Sequence, residues 1–408
     1  MLDVHEDATK SIAKKTRQAM GLIMTTGQPW AIVLPTLGLW VAGMGFNCGI
    51  VGLPNVGKST LFNALTQTAV AEAANYPFCT IEPNVGRVGV PDPRLLRLAV
   101  IASSEKIIPT QLEVVDIAGL VKGANRGEGL GNQFLGHIRS TDAILHLVRC
   151  FENGDVTHVN GNVDPIRDVE IVETELMLAD LESLKKREAM VSKKNNPDLA
   201  AEKSFLRRAV DRLESGNLLN GMPLTDDEGK FADTLHLITR KPIFYVCNVD
   251  EGDVACGNEL TRRVETLARS RNSAAVIISA AIEAEIAVIR DEEEKNQYIR
   301  SLGLEESGLS RVIRGGYELL DLITFFTVGA PEARAWTIGR HSKAPAAAGV
   351  IHTDFERGFI CAEVIGYEDY VACGGESGAK AAGKMRLEGR EYVMNDGDVA
   401  HFRFNKTT

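Results

Sequence analysis

Gly52-Leu-Pro-Asn-Val-Gly57-Lys58-Ser59 fits the pattern G-x-x-x-x-G-K-[ST]. Glycines at that spacing let backbone N–H groups face phosphate oxygens, and the N-terminus of the following helix adds positive potential. Lys58 then reaches the β and γ phosphates and serves the chemistry there, while Ser59 offers a hydroxyl to Mg²⁺. Asn55, Val56, Gly57 and Thr60 belong to the same nucleotide contact. Two further segments follow in the order that phosphoryl transfer needs. Thr80, in the polar loop Asn75-Tyr-Pro-Phe-Cys-Thr80, is the candidate second hydroxyl on Mg²⁺, in a loop ordered when the γ-phosphate is present. Asp116-Ile-Ala-Gly119 ends an apolar strand, so Asp116 is expected to reach Mg²⁺ through water and Gly119 to meet the γ-phosphate. The glycine-rich loop 123–131 is not a dinucleotide fingerprint, because no strand feeds directly into it.

The elements that must hold these groups are legible as alternation. Asn47–Val51 reads as a short buried strand and Thr60–Gln67 as the helix after it. Strands recur at Leu112–Asp116, Ala143–Val148, Pro242–Asn248 and Ala275–Ser279, which predicts a parallel, doubly wound α/β sheet. From Ile166 to Glu214 the rhythm changes. Val169, Val172, Leu176 and Ala179 form one helical stripe, Asn195-Asn-Pro197 breaks it, and Leu206, Ala209, Val210 and Leu213 resume it. This predicts an inserted helical hairpin reaching about 40 Å at 1.5 Å per residue. Its charge is segregated: 168–182 carries six acids and no base, whereas 185–212 carries nine bases and four acids. The tip is expected to be positive, with a solvated coiled-coil face as the alternative. From about Asp321, short alternating strands (325–328, 335–338 and 402–404) and the turn Asn395–Asp398 predict a small β-rich domain.

The whole chain has 408 residues, 44% hydrophobic and 25% charged, which excludes a disordered chain and a multi-span membrane protein. A net charge of −10 excludes a simple electrostatic binder of nucleic acid, so any such contact needs a local patch. The seven cysteines are scattered without a Cys-x-x-Cys pair, which argues against a disulfide framework or zinc site and fits a reducing compartment. Residues 1–43 differ from the rest, with Lys10, Lys14, Lys15 and Arg17 ahead of an apolar run broken by Pro35 and Gly38. They read as a poorly packed tail or over-extended reading frame, against a targeting segment or an added structural element. Every phosphate and base motif lies after Met44, so they are expected to be dispensable for nucleotide binding.

Met44–Thr60, Asn75-Tyr-Pro-Phe-Cys-Thr-Ile-Glu-Pro-Asn84, Asp116-Ile-Ala-Gly-Leu-Val-Lys-Gly123 and Asn248-Val-Asp-Glu251 together resemble the YchF / Obg-like ATPases, from Met44 to the C-terminus. The resemblance implies a P-loop NTPase (OBG-type G) domain, here 44–165 with 235–320, an inserted helical domain at 166–234, and a C-terminal TGS domain of β-grasp type at 321–406. Residues 1–43 depart from it, since members start near Met44. It also implies ribosome association near translation or stress response, in the cytoplasm. The partners expected are ATP and the ribosome, on its large subunit and with ribosomal RNA as a possible contact. No membrane partner and a monomer are expected.

Guanine-specific relatives carry Asn-Lys-x-Asp, whose aspartate accepts two N–H donors from guanine. Here Val249 replaces the lysine and Glu251 the aspartate, and Ser279-Ala-Ala stands where relatives have Ser-Ala-Lys. Glu251 is one methylene too long for the two-point fit. Asp250 is expected to turn away from the base and Val249 to give an apolar wall. The amide of Asn248 stays available to adenine, and Ser279 completes the base end. The expectation is an enzyme that binds ATP at least as well as GTP. A nucleotide-gated binding module with incidental hydrolysis and a conventional GTPase are the alternatives. Leu120 follows Asp-x-x-Gly where Ras-like enzymes place a water-orienting glutamine, so another group must act or turnover must be slow. His158, in Val156-Thr-His-Val-Asn-Gly161, is the candidate, with a surface-loop histidine as the alternative. Asn55 resembles the asparagine of potassium-activated relatives, which adds K⁺ to Mg²⁺ as an expected cofactor. Lys185, Lys186, Arg187, Lys193, Lys194, Arg207 and Arg208 at the hairpin tip are expected to meet ribosomal RNA or protein.

Overall fold

The computed structural model describes residues 46–73, 85–117, 130–152, 162–193 and 199–405. Residues 1–45, Thr80, Gly119, Leu120, His158 and Lys194 therefore lie outside the described residues.

The first sheet contains β1 (Asn47–Val51), β2 (Val85–Gly89), β4 (Gln111–Asp116), β5 (Ala143–Arg149), β6 (Ile243–Asn248) and β7 (Ala274–Ile278), in the order β2-β4-β1-β5-β6-β7. The run from β4 to β7 is parallel, and β5 and β6 are buried along their whole length, as strands covered on both faces must be. The strands expected from the sequence are all parallel, and β2, which the sequence reading does not include, adds an antiparallel edge beside β4. Its sequence, Val-Gly-Arg-Val-Gly, has two glycines in five residues and little intrinsic strand preference. The helix after the phosphate loop spans Lys58–Ala73, longer at both ends than expected.

The hairpin helices are Pro165–Ser192 and Ala200–Glu214. Asp164 caps the first, accepting from the Ile166 N–H, with Pro165 at the first helical position. The stripe Val169, Val172, Leu176 and Ala179 does not face a partner arm. It packs into the core of the first sheet. The arm proper begins past Asp180, where Leu184 and Val191 meet Phe205, Leu206, Ala209 and Leu213 in a separate cluster. Four of the six acids of that run, Asp168, Glu173, Glu175 and Asp180, are buried. Asp180 accepts from the Ile238 and Thr239 N–H groups and the Thr239 hydroxyl, and Glu173 meets Tyr245 and Arg271. The basic tip is largely neutralised as well. Lys185 pairs with Glu214, Lys186 with Glu182, Arg187 with Glu202 and Arg208 with Glu228. Lys193 and Arg207 are exposed and make no ion pair among the described residues.

The second sheet has the order β11-β10-β12-β8-β9-β3. Its members are β8 (Leu322–Val328), β9 (Glu332–Gly339), β10 (Phe359–Gly366), β11 (Arg386–Glu388), β12 (Asp398–Phe404) and β3 (Lys106–Ile108). β8 and β9 form an antiparallel pair, β12 lies parallel to β8, and the helix Ala344–Ile351 packs against β9 and β10 through Ala344, Ala347 and Ala348. This grip of a mixed sheet on one helix is the β-grasp arrangement. The expected β-rich region also contains four short helices, which alternation does not reveal.

β3 sits in sequence between β2 and β4 of the first sheet, yet it pairs parallel with β9 of the second. The helix Pro93–Ala102 goes with it, packing Leu95, Leu98 and Ala99 on Phe326, Ala333 and Ala335. Arg94 bonds Asp396 and lies over Phe326, and the Thr110 and Thr337 hydroxyls meet at 2.8 Å. Residues 93–108 thus belong physically with the second sheet, although the sequence reading includes them in 44–165.

Candidate functional site

The phosphate end of the site is built by one short loop at the C-terminal end of β1. Gly57 has φ +97°, and a Cβ there would fall 2.5 Å from Asn248 Nδ2, so only glycine lets the loop pass the end of β6. Asn55 takes φ +62°, a left-handed conformation that a short amide side chain tolerates. The Lys58 ammonium is buried and donates to the carbonyls of Gly52 and Leu53, both at 3.0 Å. Burial lowers its pKa, and the charge of Asp116 opposes that shift. Asp116, at the last position of β4, is held above the usual carboxylate range by burial, and Lys58 works against it. Its Oδ1 is buried with no hydrogen-bond partner among the described residues. A buried carboxylate oxygen with no donor, on the strand next to the phosphate loop, suits a hydrated divalent cation.

The base end is assembled from strands far apart in sequence. Asn248, at the end of β6, donates through Nδ2 to the Val56 carbonyl at 3.0 Å and accepts at Oδ1 from the Ala280 N–H at 2.9 Å. It thereby ties the phosphate loop to the turn after β7 while lining the cleft. Val249 is 3% exposed and its N–H donates to the Ile278 carbonyl. Asp250 and Glu251 both line the cleft. Ser279 is buried at the N-terminus of the helix Ala280–Val288, and its carbonyl accepts from the Glu283 N–H.

One cleft of about 700 Å³ joins both ends. Asn55, Gly57, Lys58, Ser59 and Thr60 line it on one side and Asn248, Val249, Glu251 and Ser279 on the other. Val56 is buried behind it. Phe151 also lines the cleft and is missing from the sequence reading. Its signal was an aromatic just past the end of an apolar strand, since ligands of open α/β sheets sit beyond the carboxyl ends of the strands. Thr80, Gly119 and His158 lie outside the described residues, so the structure places neither the second hydroxyl, the γ-phosphate glycine nor the histidine.

A parallel sheet with a lysine-bearing phosphate loop at β1, an aspartate at the end of the adjacent strand and a base segment at β6 defines a P-loop nucleoside triphosphatase fold. A family model described as "50S ribosome-binding GTPase" matches residues 47–193. A carboxy-terminal YchF GTPase model, described as "Protein of unknown function (DUF933)", matches residues 322–405. The chain is 54% identical over 365 residues to the protein named ribosome-binding ATPase YchF of Haemophilus ducreyi, covering 89% of this chain and 100% of the relative. It is 52% identical over 367 residues to the protein of the same name in Bacillus subtilis, with the same coverage. The solved YchF GTPase of Schizosaccharomyces pombe superimposes with a TM-score of 0.80 at 37% identity, covering 91% of this chain and 100% of that one. The chain belongs to the YchF family.

Proposed function

We propose that the chain is a Mg²⁺-dependent ATPase that works on the ribosome as a nucleotide switch in the cytoplasm. The observation that carries this reading is the single cleft running from Lys58 and Ser59 to Val249 and Glu251. It has the size of a nucleotide site, and a valine and a glutamate stand where a guanine site needs lysine and aspartate. Ser59, Thr80 and, through water, Asp116 would hold Mg²⁺, which when bound neutralises charge on the β and γ phosphates. Lys58 supplies the fixed positive charge, and the N–H groups of the loop orient the phosphates. In this reading His158 positions the attacking water that Leu120 cannot, and K⁺ beside Asn55 assists.

The ribosome enters through the names of the two curated relatives, both ribosome-binding ATPases. For this chain we assign the contact to the large subunit, as a monomer. Lys193 and Arg207 are the described tip bases left without an ion pair to meet ribosomal RNA. Among the described residues no helix is long and apolar enough to cross a membrane. Single-turnover hydrolysis of ATP by the full chain, with and without ribosomes, tests the proposal. Mg²⁺-dependent turnover that quickens on ribosomes is expected. A folded protein that binds ATP and hydrolyses none under either condition would favour the nucleotide-gated binding module, the reading that Leu120 supports.

A further inference from the structure

Among the described residues Arg149 is the largest side chain buried almost completely, at 1% exposed. It closes β5 two residues before Phe151 and pairs in register with Asn248 of β6. Its Nε donates to the Phe151 carbonyl at 3.1 Å. Its guanidinium carbon lies over the Phe151 ring, 4.6 Å from the centroid. One buried side chain therefore grips one neighbour twice, at the backbone and on a ring face. Arg149 itself does not line the cleft, so its charge is not placed to meet a phosphate. A buried guanidinium has to be matched by polar or π partners, and the Phe151 carbonyl and ring are two of them.

We propose that Arg149 is a positioning residue for the nucleotide base. It clamps Phe151 so that one ring face rests on the guanidinium and the other is presented to the purine. This rests on the reading of the cleft as a nucleotide site whose base end is Val249 and Glu251. A cation over one face draws the π density of the ring toward itself. The opposite face is then less negative, which favours offset stacking on an electron-rich purine. A ring already held also has little freedom left to lose when the base arrives. Stacking ignores the hydrogen-bonding edge of the base. Arg149 thus supports affinity for both purines and leaves the choice between them to Val249 and Glu251.

Calorimetry on the full chain, with Mg²⁺ and three probes, tests this: non-hydrolysable ATP and GTP analogues and inorganic tripolyphosphate. Arg149→Lys keeps the charge but loses the flat stacking group and the Nε donor. It is expected to weaken both nucleotides about 5- to 20-fold while tripolyphosphate stays within about twofold. Phe151→Ala should do the same, and the double variant should add less than about twofold. In turnover, KM for ATP should rise with kcat unchanged. Equal losses with all three probes would make Arg149 a general support of the fold, and unchanged nucleotide affinity would remove it from the site; either overturns the proposal. If Phe151→Ala also binds both nucleotides like wild type, the base-end reading falls with it; if only Arg149→Lys is silent, that reading stands and the proposal alone falls. Should Arg149→Lys fail to fold, the wild-type protein decides by NMR. The ring-current-shifted Arg149 Nε–H resonance should move when the ATP analogue is added and stay put with tripolyphosphate. A resonance indifferent to both contradicts the proposal.

Discussion

The phosphate end and the base end of the cleft are built on opposite plans. At the phosphate end one loop of eight residues, Gly52–Ser59, does the work with its own backbone, and its lysine bonds carbonyls of the same loop. At the base end, Phe151 after β5, Val249 and Glu251 after β6 and Ser279 after β7 are brought together only because three parallel strands end side by side. Contiguous backbone chemistry tolerates almost no substitution, whereas a site made of strand ends can change one residue at a time. The departures from guanine recognition are all at the second end. Asn248 joins the two, with one side of its amide on Val56 and the other on Ala280.

If the ends are separable, removing a phosphate-end group should cost rate without altering base preference. Lys58→Met is expected to lower single-turnover hydrolysis roughly 10²- to 10³-fold, as for loss of a transition-state charge donor. The ATP-to-GTP ratio in binding should stay unchanged, and a shift in that ratio would break the separation. Asn248→Ala removes the joint, leaving a buried carbonyl and a buried N–H without their partner. Denaturant unfolding should show a loss of roughly 2–4 kcal/mol. Tripolyphosphate and ATP binding should weaken together, and loss of ATP binding alone would show that Asn248 acts on the base rather than as the joint.

The sheet beneath both ends carries a buried titratable group. His146 on β5 is fully buried, and burial, with Arg271 and Lys58 nearby, lowers its pKa to about 3. Its unfolded pKa is near 6.5, so between those values the unfolded chain binds the extra proton. The stability is complete above about pH 6.5 and is lost as pH falls toward 3, about 2 kcal/mol of it by pH 5. Unfolding free energies at pH 7 and pH 5 should differ by that amount. A His146→Leu protein should lose about 2 kcal/mol less on acidification. An equal pH slope in both proteins would place the titrating group elsewhere.

The same contrast explains what could be read from the chain. The phosphate loop, the strands β1, β4, β5 and β6 and the two hairpin helices were legible because each signal is local: a spaced motif, a buried run or an apolar stripe; the break Asn195-Asn-Pro197 lies outside the described residues. Phe151 was not, since nothing in Arg149-Cys-Phe shows that β5 ends beside β6. The partners of the acidic run 168–182 were not legible, since Glu173 and Asp180 are buried against Arg271 and Thr239, 98 and 59 residues away. β3 was invisible for a related reason. Three residues, Lys106-Ile-Ile108, form a strand only because β9 is there to pair with them.

The central claim is that the base end no longer selects guanine. Calorimetric titration of the full chain with non-hydrolysable ATP and GTP analogues in Mg²⁺ tests it most directly, on wild type and on the Val249→Lys, Glu251→Asp double variant. A bidentate base contact is worth roughly 1–3 kcal/mol, so its absence removes about 5- to 150-fold of guanine preference. Wild type should bind the ATP analogue at least as tightly as the GTP analogue, and the double variant should shift toward GTP. Wild-type binding of GTP more than about tenfold tighter than ATP would mean that Glu251 still grips guanine, and would contradict the account.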